Sequence, residues 1–349
     1  MTVRVGLGLF TGQVPPGSER TFTQEYRDVI ELSRLAETLG FDSVWVSEHH
    51  GSSDGYLPSL LPMLAALAAA TDRVQLGTGV MLTPFHHPLR LAEDAAVVDL
   101  ISGGRLILGL GLGWREEEYR MFDVPVRERV RRTQETVDIL RKAWTGDRFT
   151  HEGKVFRFED VAVTPRPERE GRDGEQPPIY LGGFVEEAVR RAGRLGDGYI
   201  RSRGGIEDGK EALAWAEEGA REAGKDPSAL GFAQLQNCFV WEDGDAWSVV
   251  RPGAAHQLGV YAAWRRGADT PENPTLEVPD LGDETIRALT PAGDRHDVLK
   301  ALRPLVDTFA HRDEFHVVVR LHYPGMELDT AGRAVELFGT EVIPALKGS

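Results

Sequence analysis

A repeated alternation constrains this chain more than any other feature of its sequence. Short apolar runs, β-branched or punctuated by glycine, are each followed by a longer amphipathic stretch. Strands are expected near 4–10 (RVGLGLF), 43–48 (SVWVSE), 74–82 (VQLGTGVML), 105–111 (RLILGLG), 179–182 (IYLG), 197–202 (DGYIRS), 231–240 (GFAQLQNCFV) and 315–322 (FHVVVRLH). Helical patterns follow near 23–39, 58–70, 88–101, 126–145, 185–195, 206–223, 294–310 and 329–346. Eight strands each succeeded by a helix predict an α/β chain closed as a (β/α)8 TIM barrel, with a doubly wound open sheet as the alternative.

A length of 349 residues suits one such barrel domain spanning 1–349, interrupted by insertions near 149–178 and 242–293. The first insertion begins as a hairpin pattern and ends in a loop rich in proline, glycine and charge. The second holds one helical piece, "AAHQLGVYAAWRRGA", followed by "DTPENPTLEVPDLGDE". Loops of that length in a barrel are commonly functional, because the βα loops build its active face.

Composition narrows the function classes. The chain is 41 % hydrophobic and has no apolar run near the ~20 residues that span a bilayer, so a soluble globular protein is expected. "MTVRVGLGLF" reads as a first strand rather than an export signal. A lone Cys238 precludes an internal disulfide and fits a reducing cytoplasm. The formal charge of −15, with no basic stripe, argues against nucleic acid as a partner.

In a barrel, chemistry is supplied by the carboxyl ends of the strands. Here those ends are polar, and the second reads Glu48-His49-His50 in a chain with ten histidines. Period-2 alternation sends Glu48 and His50 to one side and His49 to the other, so the carboxylate can orient an imidazole that titrates near neutrality. A metal site formed with His86, His87 and His322 fits less well, since adjacent histidines on a strand point apart and no HxH or HExxH spacing occurs.

"RLILGLGLGWREEEY" places Gly109, Gly111 and Gly113 at GxGxG spacing, unlike a dinucleotide fingerprint, and suits a flat ring laid against a strand end. For Gly109, close packing of barrel side chains in layers is the alternative. In "IYLGGFVEEAVRRAG", Gly182 and Gly183 come directly off a strand and open a helix whose amino end favours an anion, and a tight βα turn explains the glycines equally well. Ser202-Arg203-Gly204-Gly205 adds a hydroxyl and a guanidinium at the next strand end. Arg201 and Arg320 are expected to serve structural ion pairs near the rim.

These residues together resemble the bacterial luciferase-like, flavin-dependent monooxygenases and oxidoreductases. "LAETLGFDSVWVSEHH", "VQLGTGVMLTPFHHPLRLAEDAAVVDLISGGRLILGLGLGWREEEY", "PPIYLGGFVEEAVRRAGRLGDGYI", "LHYPGMELD" and "ELFGTEVIPAL" carry the resemblance over nearly the whole chain. It implies a (β/α)8 barrel holding FMN, or the deazaflavin coenzyme F-420, at the carboxyl ends of the strands.

In that resemblance His49 matches the catalytic histidine, with Glu48 and His50 shaping its environment. Val80, Met81, Leu82 and Thr83 match the third-strand end behind the ring system, where the family often has a strained peptide bond. Gly111, Gly113 and Trp114 match a cofactor wall, and Gly182, Gly183, Ser202 and Arg203 match the phosphate region. Bacterial luciferases carry a phosphate-binding arginine where this chain has Leu112.

The implied activity is oxygenation of a small organic substrate by reduced FMN and O2, with FMN supplied by a separate reductase and the protein acting as a homodimer. Hydride transfer with F-420 is the alternative, and a non-catalytic flavin-binding protein is a second alternative. No metal is implied. The loops at 51–57 and 242–293, with Tyr56, Trp247, Tyr261 and Trp264, are the expected substrate-facing segments.

Overall fold

The structure, a computed structural model, describes residues 3–169, 175–202, 204–270, 273 and 275–348. Its strands in chain order are β1 (Arg4–Phe10), β2 (Ser43–Val46), β3 (Gln75–Thr78), β4 (Met81–Leu82), β5 (Leu106–Gly111), β6 (Phe149–Glu152) and β7 (Arg157–Val161). They continue with β8 (Ile179–Gly182), β9 (Gly198–Arg201), β10 (Gly231–Asn237), β11 (Phe239–Val240), β12 (Ala292–Gly293) and β13 (Phe315–Arg320). The chain divides into two compact units, one of Met1–Pro58, Ser202–Asp208 and Ala233–Ser349, the other of Ser59–Arg201 and Gly209–Phe232.

In the first unit β1 lies parallel between β2 and β13, with Gly6 opposite Ser43 on one side and Val318 on the other. Glycine is required at this point of β1. A Cβ on Gly6 would sit 2.6 Å from Ser43 Oγ, and one on Gly8 would sit 2.9 Å from Trp45 Cβ. The cleared face lets side chains of the flanking strands meet over β1. Trp45 donates to Ser43 Oγ at 2.8 Å, and its ring stands 5.7 Å from that of His316.

The helix Phe22–Thr38 begins at a capping box in which Thr21 and Gln24 satisfy each other's backbone N–H groups. The second insertion contributes the helix Ala246–Arg265, longer than its sequence pattern predicted. Its Gly253 and Gly259 allow close approach: a Cβ at Gly253 would fall 2.6 Å from Tyr323 Cβ, and one at Gly259 2.4 Å from Val278 Cγ1. The first contact sets the helix against the segment just after β13, the second against the rest of the insertion.

In the second unit β5 pairs in parallel with β3, β4 and β8, and β8 pairs with β9. Gly109 is indispensable here, because a Cβ would lie 1.9 Å from the Thr78 carbonyl oxygen. Arg105 closes the carboxyl end of the helix Leu60–Ala70 by donating to the carbonyls of Ala68, Thr71 and Val74. The expected hairpin forms from antiparallel β6 and β7.

Three expected elements are broken. The strand pattern at 74–82 divides into β3 and β4 around the cis Gly79–Val80 peptide. The one at 231–240 divides at Cys238, beyond which β11 turns to pair with β12. The helical pattern at 329–346 runs as an α-helix over Leu328–Leu337 and a π turn over Phe338–Val342 before resuming at Ile343. Pro344 lacks the N–H that an unbroken α ladder needs there. Among the described residues, no helix is long and apolar enough to cross a membrane.

Candidate active site

In the first unit, chemistry gathers where β2 ends. His50 Nε2 lies 2.6 Å from Glu48 Oε1, both side chains being buried. The alternation read from sequence therefore holds beyond the strand, with Glu48 and His50 paired on one side. His49, 5 % exposed, turns the other way into an aromatic enclosure. Its ring centre lies 4.8 Å from that of Tyr56, 5.4 Å from Tyr261 and 4.8 Å from Trp264. Edge-to-face and tilted contacts of this kind hold an imidazole by shape and exclude water.

The enclosure is itself anchored. Tyr56 donates to Ser47 Oγ at 3.1 Å and shares a 3.0 Å hydrogen bond with the Tyr261 hydroxyl. Burial is the main cause that pushes its phenol above the ordinary range. Trp264 packs with Tyr56 and Val260, and its indole N–H donates to Asp269 Oδ2. The same oxygen accepts the Ser53 backbone N–H, so one carboxylate ties the loop after β2 to the end of the insertion helix.

A second carboxylate does the same deeper in the unit. Asp54 is fully buried and accepts from Gln13 Nε2 at 2.6 Å and Ser52 Oγ at 2.5 Å, and it pairs with His256 Nε2 at 2.9 Å. Burial alone would raise its pKa. The bonds from His256, Ser52 and Gln13 outweigh burial and hold the carboxyl below the ordinary range. Neither Asp54 nor His256 stood out in the sequence, where an Asp in a glycine-serine loop reads as a turn residue.

Arg320, at the end of β13, is 3 % exposed, and its Nε and Nη1 have no hydrogen-bonding partner. The expected ion pair is absent: among the described residues no carboxylate lies within bridging distance of this guanidinium. Other buried arginines differ. Arg20 is surrounded by Glu25, Asp28 and Glu327, and Arg169 pairs with Asp99 at 2.8 Å.

The second unit brings several of the expected cofactor residues together. Leu82 stands opposite Gly111 in the β4–β5 register, and Met81 opposite Leu110. A Cβ on Gly111 would meet Val80 Cγ2 at 2.4 Å, and one on Gly182 would meet Val80 Cγ1 at 3.5 Å. Gly111 thus lets the Val80 side chain pack directly on the end of β5, while Gly182 has Val80 and Ile200 at ordinary contact distance. Thr83 is fully buried, yet its hydroxyl has no partner. Gly113 adopts a positive φ of 75°, and Trp114 is 41 % exposed. Tyr119 donates to the Leu112 carbonyl, and desolvation pushes its phenol up to about 12.

The anion-binding expectation is modified at β8. The following helix starts at Glu186, beyond Gly182 and Gly183, and its first turn already carries Glu186 and Glu187. Both are exposed and paired with arginines further along the helix, Glu186 with Arg190 and Glu187 with Arg194. Ser202 is exposed in the first unit, and Arg203 lies outside the described residues.

Comparison with known proteins adds the context of this geometry. The profile of a family described as luciferase-like monooxygenase matches residues 4–312. An F420-dependent glucose-6-phosphate dehydrogenase of Kineococcus radiotolerans is 30% identical over 328 residues, covering 89% of this chain and 90% of its own. The monooxygenase RslO1 of Streptomyces bottropensis superposes with a TM-score of 0.82 at 25% identity, over 98% of this chain and 99% of its own. The oxygenating constituent of 3,6-diketocamphane monooxygenase of Pseudomonas putida, solved with FMN, gives a TM-score of 0.77 at 22% identity over 99% of both chains, which speaks to fold. The chain has the luciferase-like (β/α)8-barrel fold and belongs to the luciferase-like monooxygenase family of oxidoreductases.

Proposed function

We propose that this enzyme is a flavin-dependent monooxygenase that uses reduced FMN and O2 to oxygenate a small organic substrate. The enclosure of His49 by Tyr56, Tyr261 and Trp264 carries the reading. It offers an aromatic, water-poor surface to an apolar molecule and one titratable group within it. In the same reading the cytoplasm, a separate flavin reductase and a homodimer complete the setting.

The residues present fit a flat ring system. Gly111 and Gly182 bring no side chain of their own beside Val80, and the unpartnered Thr83 hydroxyl supplies a buried polar group. Val80, Met81, Leu82, Thr83, Gly111, Gly113 and Trp114 would hold the ring, and Gly182, Gly183, Ser202 and Arg203 the phosphate. Bound reduced FMN would supply the electrons and the oxygen-activating ring.

The protein's own residues then have separable tasks. His49 holds or delivers a proton at an imidazole nitrogen, Tyr56, Tyr261 and Trp264 exclude water and orient the substrate, and Glu48 fixes His50 on the opposite side of the strand end. Hydride transfer with F-420 is the second reading. It is favoured by the Kineococcus radiotolerans relative, whose name carries that coenzyme. Absorbance titration with each reduced cofactor, followed by admission of O2, separates the two. Tight binding of FMN and oxygenated product support the monooxygenase; tight binding of reduced F-420 alone, with no O2 uptake, supports the dehydrogenase.

A further inference from the structure

A guanidinium buried without a counter-ion is costly, because its hydration is lost and no carboxylate replaces it. Arg320 is in that position, with two nitrogens lacking partners. The Tyr323 ring, 5.9 Å from Arg320 Cζ, offers a face but no negative charge.

The direction of Arg320 follows from the strands. His316 on β13 reaches over β1 to Ser43 Oγ at 3.4 Å and to the Trp45 ring. Side chains four residues apart on a strand share a face, so Arg320 lies further along the same face toward the carboxyl ends. Ser47, the first residue after β2, continues the alternation of Ser43 and Trp45, and Ser47 Oγ accepts the Tyr56 hydroxyl. The charge of Arg320 acts on that phenol, opposing the effect of its burial. Tyr56 in turn rests edge-on against His49.

We propose that Arg320 is the receptor for a carboxylate on the substrate, which makes the substrate of this enzyme an organic acid whose apolar part lies against Tyr56, Tyr261 and Trp264. The inference rests on reading the His49 enclosure as the substrate site. It names the substrate class that this reading leaves open. A carboxylate there would complete both unpartnered nitrogens and relieve the desolvation cost, and a neutral isostere would leave the guanidinium as it is.

Benzoate and benzamide, alike in shape and different in charge, are suitable probes. Their binding to the full-length protein is followed by tryptophan fluorescence, with and without saturating reduced FMN. The wild type is expected to bind benzoate about tenfold or more tightly than benzamide. Arg320→Met should abolish that preference without lowering Tm, and Arg320→Lys should retain part of it. Equal binding of the two probes by the wild type would overturn the proposal. So would a variant that loses Tm while keeping the preference, or one that loses FMN affinity and leaves benzoate untouched. The probe comparison does not depend on the cofactor. Failure to select benzoate by a protein that binds reduced FMN defeats the inference alone, whereas benzoate selection by a protein that binds neither cofactor defeats the functional reading alone.

Discussion

Glu25 and His322 face each other in the first unit, with His322 Nδ1 3.6 Å from Glu25 Oε1 and both side chains buried. Desolvation, opposed by Arg20, pushes the Glu25 carboxyl up to about 7 from an ordinary 4.5. Desolvation, aided by Arg20 and Arg320, pushes His322 down to about 3 from an ordinary 6.5. Glu25 therefore takes up a proton on folding between pH 4.5 and 7, and stability falls as pH rises through that window. His322 gives one up, so stability falls as pH drops from 6.5 toward 3. The slopes oppose each other where the windows overlap. In Glu25→Gln, stability measured by urea titration should rise with pH over that overlap more steeply than in the wild type. In His322→Asn it should decline across the Glu25 window by about 3 kcal/mol. At this scale the sequence was informative for Glu48, His49 and His50, because period-2 alternation is a local rule. It misled at Arg320, read as half of a structural ion pair, because the missing partner is a property of the folded surroundings.

At the scale of elements, the loop after β2 and the helix Ala246–Arg265 act as one structure. Asp54 and Asp269 are the ties, each accepting from groups on both segments. Asp54→Ala leaves His256 and Gln13 without their acceptor in a buried place. It should cost about 2–4 kcal/mol in urea unfolding and alter the tryptophan fluorescence contributed by Trp264. An exposed turn aspartate would cost much less, so the size of the loss checks the clamp. The insertion was legible as one helical piece, but its start was not, since Pro252 within the pattern reads as a boundary. The short helices Glu116–Met121 and Asp283–Leu289 span too few turns for a period to register. The break of the third strand pattern at Gly79–Val80 was not legible from periodicity and was anticipated only through the family resemblance.

For the whole molecule, the alternation of strand and helix was sufficient to indicate the barrel, because each βα unit is specified by its own short stretch. The glycines of β1 show where a local reading ends. Gly6 and Gly8 look like weak strand residues in isolation, and their necessity comes from Ser43 and Trp45, some forty residues away. Substrate chemistry is less legible still, because the proposed determinants, two loops and a buried arginine, come together only in the fold. The central claim is that His49 performs chemistry in its aromatic enclosure rather than supporting the fold. Single-turnover kinetics of His49→Ala at saturating reduced cofactor test it most directly. The account predicts a rate at least about 100-fold below wild type with cofactor affinity changed less than about threefold. An unchanged rate, or equal losses in rate and affinity, would contradict it.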